Sequence, residues 1–331
     1  MNSKFYNKKI LVAGGTGLVG QELTSQLLKM GAIVSICSLD SKDLAPVGVS
    51  KYYKLDMSIL SNCRKACRGN EIVFSLLGAT GSPLTNFNNP ATFMMGNLLT
   101  ALNILEGARL ENVKEFLYTS TYGVYSNKGP MIEDKVWENN PSENDKFAGW
   151  AKRIGELQVE AYKKQYKWKK IYIVRPANIY GPYSNFDEKN SMVVASLIKK
   201  FFSKKDVVKI WGDGSPVRDF IYSEDVARMM IKVVENEITQ PINLGSGKGV
   251  SISDLVNIIL NSKYLKKKPK VKFEKEKPMG DSIRVLDMSF AKKFNICATV
   301  SLQEGIDKTI SWYLKNKSII LKKFNVFNKT L

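Results

Sequence analysis

Apolar residues in this chain come in short unbroken bursts, with amphipathic stretches between them. Ile10 to Ala13 make the first burst, as expected of a strand covered on both faces. Leu18, Leu23, Leu27 and Leu28 then recur at the spacing of one helix face, and "AIVSIC" supplies a second burst. The segments "YYKLDMS", "EIVFSLLGATGS", "EFLYTSTYGVYSN" and "KIYIVRPANIYGP" continue the series as third to sixth strands. Helical patterns alternate with them, and "NPATFMMGNLLTALNILEGARL" and "FAGWAKRIGELQVEAYKKQY" predict long helices with apolar faces. Such alternation predicts an α/β fold built on a doubly wound parallel sheet.

Between the first strand and the first helix lies Gly14-x-x-Gly17-x-x-Gly20. Glycines there permit a tight turn, close backbone approach to a pyrophosphate, and close helix-strand packing, while the helix N-terminus faces the phosphates. The expected cofactor-binding residues are therefore Gly14, Thr16, Gly17, Leu18, Val19 and Gly20, with Asp56 at the end of the third strand. An acid closing the second strand would hold the adenosine ribose, but Ser38 stands there; Asp40 comes two residues late and Lys42 follows. The missing carboxylate leaves room for a 2′-phosphate, so the expected cofactor is NAD(P), with NADP slightly favoured.

Composition narrows the chemistry. A chain of 331 residues is long enough for one large α/β domain or two lobes. It contains no histidine, which excludes Ser-His-Asp triads, Cys-His dyads and His-ligated metals, and no metal site is expected. Proton transfer falls to Tyr, Lys, Asp, Glu, Ser or Thr. Cys37, Cys63, Cys67 and Cys297 lack a matched spacing and read as reduced thiols, with Cys63 and Cys67 on one helix face. No apolar run nears the roughly 20 residues of a membrane span, and "ILVAGG" is too short for a leader, so a cytoplasmic protein without membrane partners is expected. The net charge of +19 is spread over scattered lysines. The densest run, "YLKKKPKVKFEKEKP", includes glutamates and prolines and reads as a solvated loop or edge strand. The charge is assigned to attracting an anionic small substrate, not nucleic acid.

The motifs "GGTGLVG", "LDMS", "NLLTALNILEGAR", "TSTYGVY", "WAKRIGE", "RPANIYGP", "GDGSPVRDFIYSEDVA", "INLGSGKGVSISDL" and "RVLDMSFAKK" span nearly the whole chain. Together they resemble the extended short-chain dehydrogenases that modify nucleotide-activated sugars. Within that family, "NIYGPYSNFDEKNSMV" followed by "IWGDGSPVRDF" is most similar to GDP-fucose synthases and related GDP-sugar epimerase-reductases. The resemblance implies an NAD(P)-binding Rossmann domain over 1–183 plus about 220–244, and a smaller substrate-binding lobe over about 184–219 plus 245–331. It also implies a homodimer formed through the two long helices, and a nucleotide-diphosphate sugar as substrate.

In that family a tyrosine hydroxyl is the acid or base at a sugar oxygen. A lysine one turn later lowers its pKa and holds the nicotinamide ribose, and a Ser or Thr bonds the same sugar oxygen. Carried onto this chain, the lysine is Lys152 and the hydroxyl is Thr121, with Thr119 the second choice; the tyrosine position holds Ala148. Three explanations stay open: an engineered Tyr→Ala change, a natural loss of redox chemistry, or another acid such as Tyr122 or Tyr125. A second departure is the absence of the cysteine and histidine that epimerise at C3 and C5 in GDP-fucose synthases; "TSTYGVY" has no cysteine and Met192 takes the histidine position. A 4-epimerase or 4-keto reductase is the expected activity. Dehydration is less expected, because Tyr122-Gly123 stand where an Asp-Glu pair would. By the same carry-over, Asn178, Lys200, Trp211 and Arg218 contact the substrate, and Arg284 clamps the pyrophosphate. The alternative function is a catalytically silent nucleotide-sugar or NAD(P) binder of the same fold.

Overall fold

The computed structural model describes residues 3–187, 190–203, 205–277, 279–320 and 323–324. Through the first half run β1 (Lys9–Ala13), α1 (Leu18–Lys29), β2 (Ile33–Ser38), β3 (Lys51–Lys54), α2 (Leu60–Cys67), β4 (Ile72–Ser75), α3 (Pro83–Asn88), α4 (Pro90–Leu110), β5 (Glu115–Thr119), α5 (Lys146–Tyr166) and β6 (Ile171–Pro176). The second half holds β7 (Asn178–Tyr180), α6 (Val193–Phe201), β8 (Val207–Trp211), β9 (Val217–Tyr222), α7 (Ser223–Glu235), β10 (Ile242–Leu244), β11 (Gly249–Ser251), α8 (Ile252–Leu260), β12 (Lys270–Glu274), β13 (Ile283–Arg284), α9 (Ser289–Lys292), α10 (Leu302–Lys315) and α11 (Lys317–Ile320).

The apolar bursts form a seven-stranded sheet in the order β10-β6-β5-β4-β1-β2-β3. Every pairing in it is parallel. Alternate side chains serve opposite faces, as the pleat requires. Ile10, Val12, Phe74 and Leu117 pack with Leu23 and Leu27 of α1 and with α7. Leu11, Ala13, Val73 and Phe116 pack with Cys63 and Cys67 of α2, and with α4 and α5. Cys63 and Cys67 are thus a buried helix face, and burial pushes the Cys63 thiol up to about 12. The strand order reverses between β1 and β4, which opens a crevice at their carboxyl ends, where ligands of such sheets bind.

Four predicted strands come out shorter, the third ending at Lys54 and the fourth at Ser75. The fifth ends at Thr119, and the chain turns at Tyr122–Val124, where the Thr121 hydroxyl accepts the Gly123 N–H (3.2 Å). The sixth splits. β6 ends at Pro176, where the Ala177 N–H makes a last bond to the Leu244 carbonyl of β10 (2.9 Å), and β7 pairs with β9 in a second sheet that also holds β11 and β13. The expected domain limit at 183 therefore falls beyond β7, and that at 220 falls inside β9. The second lobe has its own core, including Phe186, Ile198, Phe220, Leu255 and Ile310. In the lysine-rich run β12 pairs with β8 alone as an edge strand; Pro278 lies outside the described residues. Among the described residues no helix is long and apolar enough to cross a membrane.

Candidate active site

At the crevice, Gly14 takes a left-handed φ of +88°, which favours glycine. A Cβ on Gly20 would lie 2.1 Å from the Gly14 carbonyl oxygen, so α1 rests directly on the turn. Gly17 caps α1 without a side-chain bond, and the first-turn amides of Leu18 and Val19 have no intrahelical acceptor. Unpaired amides at a positive helix end beside bare backbone suit a pyrophosphate. Thr16 is not open to a ligand through its side chain. It is 1% exposed, and its hydroxyl bonds Ser38 Oγ (2.5 Å) and Asp40 Oδ2 (2.6 Å), tying the turn to the end of β2. Asp40 thereby brings to this end of the site the carboxylate that Ser38 lacks. Asp56 follows β3 and accepts the Ser58 N–H and hydroxyl at 2.9 and 2.7 Å.

Lys152 of α5 is 7% exposed, and its ammonium donates to the carbonyls of Leu77 and Thr119, both at 2.9 Å, just beyond or at the ends of β4 and β5. Burial lowers its pKa to about 8, against the opposing pull of Glu156. Asn97 of α4 shares this spot. A Cβ on Gly78 would sit 2.8 Å from Asn97 Oδ1 and 3.3 Å from Lys152 Nζ. Asn97 was not among the expected site residues, although an asparagine inside an apolar helix was a legible signal. The first turn of α5 lies on the turn after β5, since a Cβ on Gly149 would be 2.5 Å from the Gly123 oxygen. Half-buried Ala148 precedes Gly149 and lies one helical turn ahead of Lys152 on the same face. The Thr119 hydroxyl is buried without a hydrogen-bond partner among the described residues.

Behind the site, Arg175 forks onto both Glu156 oxygens (3.0 and 2.7 Å), and Ser120 donates to Glu156 Oε1 (2.5 Å). Arg175 also donates to the Tyr125 hydroxyl (3.0 Å), which in turn donates to Asn243 (2.8 Å). Tyr125, 2% exposed, is thus locked in the core. Tyr122 is half-buried; its hydroxyl donates to Asn178 Oδ1 (2.9 Å), and burial pushes its pKa up to about 12. Asn178 spends its amide on the Asp219 carbonyl (3.0 Å).

Arg284 differs from an exposed clamp. Its side chain is 1% exposed, pairs with Asp145 (3.0 Å) and Asp281 (3.2 Å), and donates to the carbonyls of Tyr122 and Tyr125. It fastens the turn after β5 to the start of α5. Arg218 is the freer guanidinium: half-buried, it donates to the Val217 carbonyl (2.9 Å) and has no ion pair among the described residues. Burial lowers its pKa. Asp145 enters the site unannounced by any motif. Its Cγ and the Thr121 methyl carbon would lie 3.3 and 3.4 Å from a Cβ on Gly123, so this carboxyl stands beside Thr121. Desolvation raises its pKa despite Arg284. Lys200 and Trp211 lie in the second lobe, on α6 and β8. The Lys200 ammonium donates to the Lys209 carbonyl (3.0 Å), and Trp211 is 44% exposed. A surface hollow of about 730 Å³ beside α10, lined by Lys263, Lys308 and Trp312, contains none of these residues.

The model of the NAD dependent epimerase/dehydratase family matches residues 10–245. GDP-L-fucose synthase of Escherichia coli (strain K12) is 28% identical over 327 residues, covering 94% of this chain and 98% of that protein. The crystal structure of UDP-glucose 4-epimerase with UDP-glucose from Thermotoga maritima superposes with a TM-score of 0.80 at 26% identity, covering 93% of this chain and 99% of that one. A GDP-L-fucose synthetase from Naegleria fowleri bound to NADP shares the fold, with a TM-score of 0.79 at 22% identity over 96% of this chain and 95% of that one.

Proposed function

The chain belongs to the NAD dependent epimerase/dehydratase family, and from that premise we propose that it binds NAD(P) across the glycine turn and a nucleotide-diphosphate sugar beside it. The activity is that of a 4-epimerase or 4-keto reductase held to low turnover by Ala148. The observation that carries this reading is the buried Lys152 at the ends of β4 and β5, with Thr121 near and alanine one turn before it. A GDP-sugar is the favoured substrate, on the motifs around Asn178 and Arg218 and on the similarity to a GDP-L-fucose synthase.

Each residue then has a task. The glycine turn and the amides of Leu18 and Val19 hold the pyrophosphate, Ser38 and Asp40 face the adenosine ribose, and Lys152 holds the nicotinamide ribose. The dinucleotide supplies a hydride acceptor or donor. Thr121 orients the reacting sugar oxygen. Arg218 takes the sugar diphosphate, since its guanidinium has no carboxylate partner among the described residues. Ala148 offers no proton, and Tyr122 and Asp145, beside Thr121, are the candidate substitutes, with Asp145 paired to Arg284. The NADP preference drawn from Ser38 is weakened by the Asp40 carboxylate, which repels a 2′-phosphate. The same alanine also favours a second reading, a binding protein without catalysis.

Calorimetric titration tests the proposal. NAD(P)H and a GDP-sugar should both bind, and Arg218→Ala should weaken the sugar nucleotide by about 1.5–3 kcal/mol, the worth of one charged hydrogen bond. Absence of dinucleotide binding overturns the reading. An unchanged dissociation constant in Arg218→Ala moves the diphosphate elsewhere.

A further inference from the structure

Lys323 lies far from the motifs in sequence, yet its ammonium reaches the glycine turn. It donates to the Thr16 carbonyl (3.4 Å) and to the Tyr183 carbonyl (2.5 Å), and sits 5.8 Å from the Tyr183 ring centre. The next residue is anchored too: the Phe324 N–H donates to Asp40 Oδ1 (2.7 Å). The other Asp40 oxygen is taken by Thr16. The segment therefore crosses from the loop after β7 to the end of β2, over the start of α1.

This placement is electrostatically incomplete. The ammonium is held by carbonyls, and no carboxylate lies within ion-pair distance of it among the described residues. Burial outweighs the attraction of Asp40 and lowers its pKa to about 8. It also stands near the positive end of α1, where a second positive charge is unfavourable until an anion arrives. A phosphate on the Leu18 and Val19 amides would neutralise both.

We propose that Lys323 is a direct ligand of a phosphate group of the bound dinucleotide, carried there by the C-terminal strap Lys323–Phe324. The inference rests on the dinucleotide reading above. The phosphate is either the pyrophosphate common to both cofactors or the 2′-phosphate of NADP, and Lys323 would offset Asp40 in the second case. A charge-assisted bond of this kind is worth about tenfold in affinity.

The test is fluorescence titration of NADH and NADPH into the full chain and into Lys323→Gln and Lys323→Arg. Lys323→Gln should lose about tenfold, for both dinucleotides if the pyrophosphate is the ligand and for NADPH alone if the 2′-phosphate is. Lys323→Arg should stay within about threefold of the unaltered chain. Unchanged affinity in Lys323→Gln overturns the proposal, and so does tighter binding, which would make the strap a competitor of the cofactor. If the unaltered chain binds neither dinucleotide, the cofactor reading fails and this one falls with it.

Discussion

Lys152 is the residue on which the site turns, and its burial makes it measurable. Its pKa is about 8 in the folded chain against an ordinary value of 10.5. Between those two values the unfolded lysine carries a proton that the folded one does not, so this residue makes stability rise with pH across the window. Lys152→Met should flatten that rise, read by denaturant unfolding at pH 7.5 and pH 10; identical pH profiles would show that the lysine is not desolvated. Lys152 and Thr121 entered through the family resemblance, because their motifs are local and could be carried over residue by residue. Asp145 and the burial of Arg284 were not legible, because they arise from contacts such as Arg284 to Asp145, separated by 139 positions.

The elements around the site are held by the buried pair of Glu156 on α5 and Arg175 on β6, whose side chains are 3% and 1% exposed. Removing one partner strands the other charge in the core, at a cost of about 3–5 kcal/mol. Arg175→Met should lose that much in equilibrium unfolding, and adding Glu156→Leu should recover a large part of it. A single variant as stable as the unaltered chain would contradict the pairing. β1, α1 and the glycine turn followed from apolar spacing and the φ that glycine permits. The split of β6 from β7 did not, since the strand that captures β7 is β9, which arrives some forty residues later in the chain.

At the scale of the molecule, α4 and α5 pack together and leave an apolar outer face, with Met95 47% and Leu157 46% exposed and Leu98, Leu102 and Ile154 half-buried. We propose that a second copy covers it. Scattering at micromolar concentration should give the mass of a dimer, and Leu157→Lys with Met95→Lys should give a monomer; a monomeric unaltered chain would refute this. The division into two lobes came from the family resemblance alone, and the strap at Lys323 was not legible, because nothing in the tail's composition marks it as reaching Thr16. The account as a whole rests on a site that binds but lacks its proton donor. The direct test compares the unaltered chain with Ala148→Tyr for NAD(P)-dependent turnover of GDP- and UDP-sugars and their 4-keto forms. Binding should be similar in both, with Ala148→Tyr faster by about 10²–10⁴-fold, the usual worth of general acid-base help. If the alanine form is already fast and the tyrosine form is no faster, the proton comes from another group, with Asp145 and Tyr122 next in line, and position 148 is not where catalysis was lost.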